Sequence, residues 1–100
     1  MGKVLTTPHL AVLSVDFYVP ASQSLKGKRW VLKSLKDRIR SRFNVSVAEM
    51  DGQDKWQKTV LAVCMIGTDK RHIDSQLQGV LKLIEAQHEI EILHHTIEFV

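Results

Sequence analysis

An α+β sandwich in the order βαββαβ is predicted by three features of the sequence. The segments His9 to Val19 and Lys55 to Ile66 alternate apolar or β-branched residues with a period of two, as strands do. The segments after Ser24 and after Asp69 instead space their apolar residues by three and four, as helices do. Between them, Asp51-Gly52-Gln53-Asp54 is a run of turn formers suited to a β-hairpin. Two βαβ-like halves with right-handed crossovers then give a four-stranded antiparallel sheet in the order 4-1-3-2. Both helices lie on one of its faces, which is the ferredoxin-like arrangement.

Each element has its own justification. In the first strand, Ala11, Leu13, Val15 and Phe17 form one fully apolar face, and Pro20 ends it. Ser22 and Ser24 offer N-caps to a helix whose Leu25, Val31, Leu32, Leu35, Ile39 and Phe43 fall within a sector of about 120°. Asn44 to Met50 alternates again. In the strand after the turn, Val60, Ala62, Cys64 and Ile66 lie on one side and Leu61, Val63 and Met65 on the other, so both faces read as buried and the strand as central. Gly67-Thr68-Asp69 caps the second helix, with Ile73, Leu77, Val80, Leu81 and Ile84 on its inner face, and Ile90 to Val100 closes the chain as a strand. Helices on a single face leave Leu10, Val12 and one side of the third strand on the open side. A homodimer interface, or a cover of long side chains such as Tyr18 and Lys58, would account for them.

The 100 residues read as one domain, with residues 1–8 as a flexible N-terminal segment. No apolar run approaches the roughly 18 residues that span a bilayer, so no membrane association is expected. The first seven residues are too short and polar for a secretory signal, and Cys64 stands alone in an apolar run. The expectation is a cytoplasmic protein in which Cys64 is an inert core residue.

Charge is distributed very unevenly. Lys26, Lys28, Arg29, Lys33, Lys36, Arg38, Arg40 and Arg42 place eight of the fourteen Lys and Arg between Ser24 and Phe43, against Asp37 alone. That segment is +7, while the six bases and ten acids elsewhere leave −4. Lys26, Arg29, Lys33, Lys36 and Arg40 recur at intervals of three and four, which puts them in one stripe roughly 80° wide and about 21 Å long. Such a stripe reaches several phosphates in succession and points to a polyanion such as RNA. The plain alternative is the solvated outer face of an amphipathic helix, with Arg38, Arg40 and Arg42 favouring its C-terminus. Lys26 and Lys28, however, crowd the positive N-terminal end, where acids would stabilise.

Trp30 falls on the polar side of the wheel, near Ser34, Asp37 and Ser41, where a tryptophan is not core. It is a candidate to stack on a base or a partner protein, or to lie flat over its neighbours. Trp56, at the start of the third strand, reads as an edge-of-core residue, with a stacking platform as the alternative. Ser22, Ser24 and Lys28 at the helix start form a weak candidate anion pocket, without the glycine spacing or Gly-Lys-Ser/Thr ending of a Walker A loop.

Catalysis and cofactors find little support. His94 and His95 are adjacent and point to opposite strand faces, no CxxC is present, and no carboxylate completes a ligand set by spacing, so no metal or other cofactor is expected. Asp16 and His94 would meet across strands as an acid–base pair, yet neither a nucleophile nor an oxyanion donor accompanies them. Sheet-face base stacking of the RRM kind is disfavoured, because Lys55 to Cys64 lacks the aromatic pattern. Three readings remain: a non-catalytic module for RNA or the ribosome, a homodimeric protein–protein adaptor using Trp30 and the open face, and a small-molecule or enzymatic domain using the pocket at Ser22.

The stretches from Ser24 to Arg38, Phe43 to Glu49 and Asp54 to Gln57 closely resemble the YlxP-like family of small bacterial proteins of unknown function, over nearly the whole chain. The resemblance implies a ferredoxin-like fold. Members are often encoded among genes for translation factors and ribosome maturation, which implies an RNA or ribosome partner rather than DNA. The family brings no established catalytic residues. Gly27 and Trp30 are departures from its more uniformly charged helix start, so a role for Trp30 would belong to this chain.

Overall fold

β1 (His9–Tyr18), α1 (Leu25–Arg42), β2 (Ser46–Asp51), β3 (Lys58–Gly67), α2 (Lys70–Glu85) and β4 (Glu91–Phe99) follow one another in the computed structural model, which describes residues 7–20, 24–51 and 58–100. All strand pairs are antiparallel, in the spatial order β2-β3-β1-β4. This is the predicted ferredoxin-like sandwich, with β3 and β1 central. Ser22, Trp56, most of the hairpin turn and the first six residues lie outside the described residues.

Strand alternation sets the core. Ala11, Leu13, Val15 and Phe17 of β1 and Leu61, Val63 and Met65 of β3 are buried beneath Leu32, Leu35 and Ile39 of α1 and Ile73, Leu77, Val80, Leu81 and Ile84 of α2. Burying such side chains contributes about 1.5–3 kcal/mol each, and here they form one continuous cluster. The opposite face of β3 differs from expectation. Val60, Ala62 and Cys64 are only half-buried and Ile66 is exposed, because no helix or strand among the described residues covers that face. Cys64 is therefore an open-face residue and not part of the core.

Helix ends are closed by side chains and local backbone bonds. Ser24 is the N-cap of α1, its Oγ accepting from the Gly27 N–H at 3.0 Å, and Asp69 caps α2 by accepting from the Arg71 and His72 N–H groups. At the far end of α1, Phe43 lies against α2. A Cβ on Gly79 would stand 3.0 Å from the Phe43 ring, so glycine there lets the aromatic ring approach the helix backbone.

Two β-bulges shape the sheet edges. Glu49 pairs with Leu61 and Asp51 with Val60, which leaves Met50 as the extra residue of β2. Likewise His94 pairs with Asp16 and Ile92 with Phe17, leaving Leu93 unpaired in β4. Because Glu49 opposes the buried Leu61, its carboxylate is directed to the helix side of the sheet, beneath α1.

Candidate functional site

The basic stripe of α1 lies along its seam with the edge strand β2. Arg29 Nη2 and Lys36 Nζ both donate to Glu49 Oε1, at 2.8 and 2.7 Å. Arg40 Nη2 donates to the Val47 carbonyl at 3.2 Å, and Lys33 pairs with Asp37 one turn along the helix at 3.0 Å. Lys26 is exposed on the first turn. The stripe is thus partly a structural tie, which wheel geometry could not reveal because the counter-charge sits on another element.

Glu49 is the hub of that seam. Its side chain is 5% exposed, and Oε2 has no hydrogen-bond partner among the described residues. Burial by itself would raise its pKa. The hydrogen bond and charge of Lys36, followed by those of Arg29, outweigh burial and hold the carboxyl below its usual value. The sequence signal for Glu49 was its phase, since it continues the inward-facing series Val45, Val47.

Lys28 was expected at a surface anion pocket, and the structure corrects this. The residue is fully buried, and its ammonium donates to the Lys58 carbonyl at 2.7 Å. Desolvation lowers its pKa, the charge of Glu49 opposes that shift, and Arg29 adds to it. Ser24 serves as the helix cap, and Ser22 lies outside the described residues. The missed signal was again phase. Lys28 precedes Leu32, Leu35 and Ile39 by four, seven and eleven residues, which places it in the apolar sector.

Trp30 faces the other flank of α1 and is 69% exposed. With Lys33, Ser34, Asp37 and Arg38 it lines a concavity of about 250 Å³. With Val31, Ser34, Arg38, Gln87 and Glu89 it lines a second of about 170 Å³. Arg38 Nη1 donates to Gln87 Oε1 at 2.7 Å, tying α1 to the turn after α2. An exposed indole beside Lys and Arg provides a stacking surface with cations to either side.

On the open sheet face, Asp16 and His94 lie opposite each other across β1 and β4, without an ion pair among the described residues. No group of three or more His, Cys, Asp or Glu among the described residues is placed to hold a metal ion. A further concavity of about 250 Å³ is lined by Leu10, Asn44, Val45, Ser46, Cys64 and Ile66. No helix among the described residues is long and apolar enough to cross a membrane.

Comparison with known proteins adds a family and a fold. Residues 10–97 match the family described as protein of unknown function (DUF503). The uncharacterized protein YlxP of Bacillus subtilis strain 168 is 40% identical over 68 residues, covering 68% of this chain and 74% of that protein. Among solved structures, SnoaB, a cofactor-independent oxygenase from Streptomyces nogalater, superposes with a TM-score of 0.58 at 14% identity, covering 90% of this chain and 91% of that one. The de novo designed protein Ferredog-Diesel superposes at 0.50 with 9% identity, covering 98% and 92%. Likeness at such low identity shows a shared fold alone.

Proposed function

From the premise that this chain belongs to the DUF503 family of proteins of unknown function, we propose that it is a non-catalytic module that binds a polyanion, RNA or the ribosome, through the exposed flank of α1. One observation carries this reading. Apart from the buried Lys28, the seven Lys and Arg between Ser24 and Phe43 meet only two carboxylates in ion pairs among the described residues, Glu49 and Asp37, so the helix surface keeps a positive surplus. Lys26, Arg29, Lys33 and Arg40 remain solvent-accessible along it, and Trp30 stands on the adjacent flank. A cytoplasmic location accords with such a partner.

The test is salt dependence. Four phosphate contacts on a single strand give log K against log[salt] a slope of roughly −3, at about −0.7 per phosphate. Replacing Lys26 and Lys33 by Glu, which leaves the Glu49 cluster intact, should flatten that slope by about 1.4. An unchanged slope and affinity in this double variant would remove the helix from the interface.

The open sheet face supports a second reading, a homodimeric adaptor. Ile66 and Met50 are exposed there beside half-buried Leu10, Val12, Val60, Ala62 and Cys64, an apolar surface that a second copy would cover.

A further inference from the structure

The concavity between α1 and the turn after α2 has a composition that phosphate binding does not explain. It is lined by the exposed Trp30 with Val31, Ser34 and Arg38 from α1 and by Gln87 and Glu89 from the turn. Gln87 is fixed at both ends of its amide, Oε1 accepting from Arg38 at 2.7 Å and Nε2 donating to the Leu83 carbonyl at 3.3 Å. The turn itself is set by the Gln87 N–H on the Ile84 carbonyl and the Ile90 N–H on the Gln87 carbonyl, and Glu89 lies between these two bonded residues. The Glu89 carboxylate makes no ion pair or side-chain hydrogen bond among the described residues, and it is half-buried. A carboxylate so placed repels phosphate, so the ligand group that meets it must donate hydrogen.

We propose that this concavity receives a guanine base of a single-stranded nucleic acid, stacked on Trp30 with its Watson–Crick edge donating to Glu89. The inference rests on the polyanion reading and deepens it. Guanine presents N1–H and the N2 amino group side by side, two parallel donors that match the two oxygens of one carboxylate. Adenine and cytosine present one amino group beside an acceptor, and uracil a single N–H between two carbonyls that a carboxylate repels. Stacking supplies sequence-tolerant affinity from Trp30, while Lys33 and Arg38, on the same side of α1, are placed for the flanking phosphates.

The experiment uses fluorescence anisotropy of labelled uridine hexamers carrying one central guanosine, inosine, adenosine or uridine, with guanosine monophosphate as competitor. The guanosine hexamer should bind about tenfold or more tighter than the adenosine and uridine hexamers, with inosine, which lacks the N2 amino group, in between. Glu89→Gln should erase that preference, so that the guanosine, adenosine and uridine hexamers bind this variant with equal affinity. Trp30→Ala should weaken every hexamer by about tenfold. Both side chains lie at the surface, and matched thermal melts would show that the variants stay folded. Equal affinity for all four hexamers with normal salt dependence would overturn the guanine site and leave the polyanion reading standing. Guanosine monophosphate competing at the affinity of the hexamer would overturn the strand as ligand. Absence of binding to every hexamer and to long single-stranded RNA at low salt would remove the polyanion reading as well.

Discussion

Lys28 shows how one residue can belong to the charge pattern and to the packing at once. Its stem occupies a core position of α1, while its ammonium reaches the Lys58 carbonyl at the start of β3. A buried ammonium pays a desolvation cost that its partners only partly return, which is why its pKa falls. Between that lowered value and 10.5 the unfolded chain holds a proton that the folded chain has released, so the contribution of this group to stability rises with pH in that window. Lys28→Met, which keeps the length and removes the charge, should change stability at pH 7 by no more than about 1 kcal/mol. It should also abolish that part of the rise. Urea unfolding of both proteins from pH 7 to 10 checks this, and parallel pH profiles would show that Lys28 carries no such cost.

At the scale of elements, the seam between α1 and β2 solves an edge-strand problem. An unprotected edge offers its N–H and C=O groups to other chains, and here Arg40 covers the Val47 carbonyl while Glu49 turns inward next to a bulge. Glu49 ties the helix down only as a carboxylate. Because its folded pKa lies below the unfolded 4.5, its contribution is complete above about pH 4.5. It is lost as pH falls through the folded value. Glu49→Gln should therefore cost about 1–3 kcal/mol at pH 7 and flatten the acid limb of the stability profile below pH 4.5. Denaturant melts across pH 3 to 7 measure both, and an acid limb unchanged by the substitution would place the seam's stability elsewhere.

For the molecule as a whole, the unequal treatment of the two sheet faces is the main physical fact. Helices α1 and α2 bury the central strands of one face, and the other keeps exposed Ile66 and Met50 beside half-buried residues. If a second copy covers this face, sedimentation over a hundredfold concentration range will show a dimer that Ile66→Glu dissociates. A mass that stays monomeric at the highest concentration would end the adaptor reading.

Fold and core were legible in the sequence because both follow from local periodicity. Alternation placed Leu13, Val15, Leu61 and Val63 on one face, three-and-four spacing placed Leu35 and Ile39 opposite them, and handedness rules ordered the strands. The basic helix, the exposed Trp30 and the Asp69 cap were legible for the same reason. Tertiary structure alone decided which cations are already paired, because Glu49 and Val47 come to Arg29, Lys36 and Arg40 from a different element. It also decided that Cys64 faces outward, since alternation assigns a residue to a face without saying whether a layer covers it. The presence of Trp30 and Glu89, 59 positions apart in sequence, in the lining of one concavity belongs to the same class. Periodicity reads only the direction in which a side chain points, and what it meets depends on how separate elements pack.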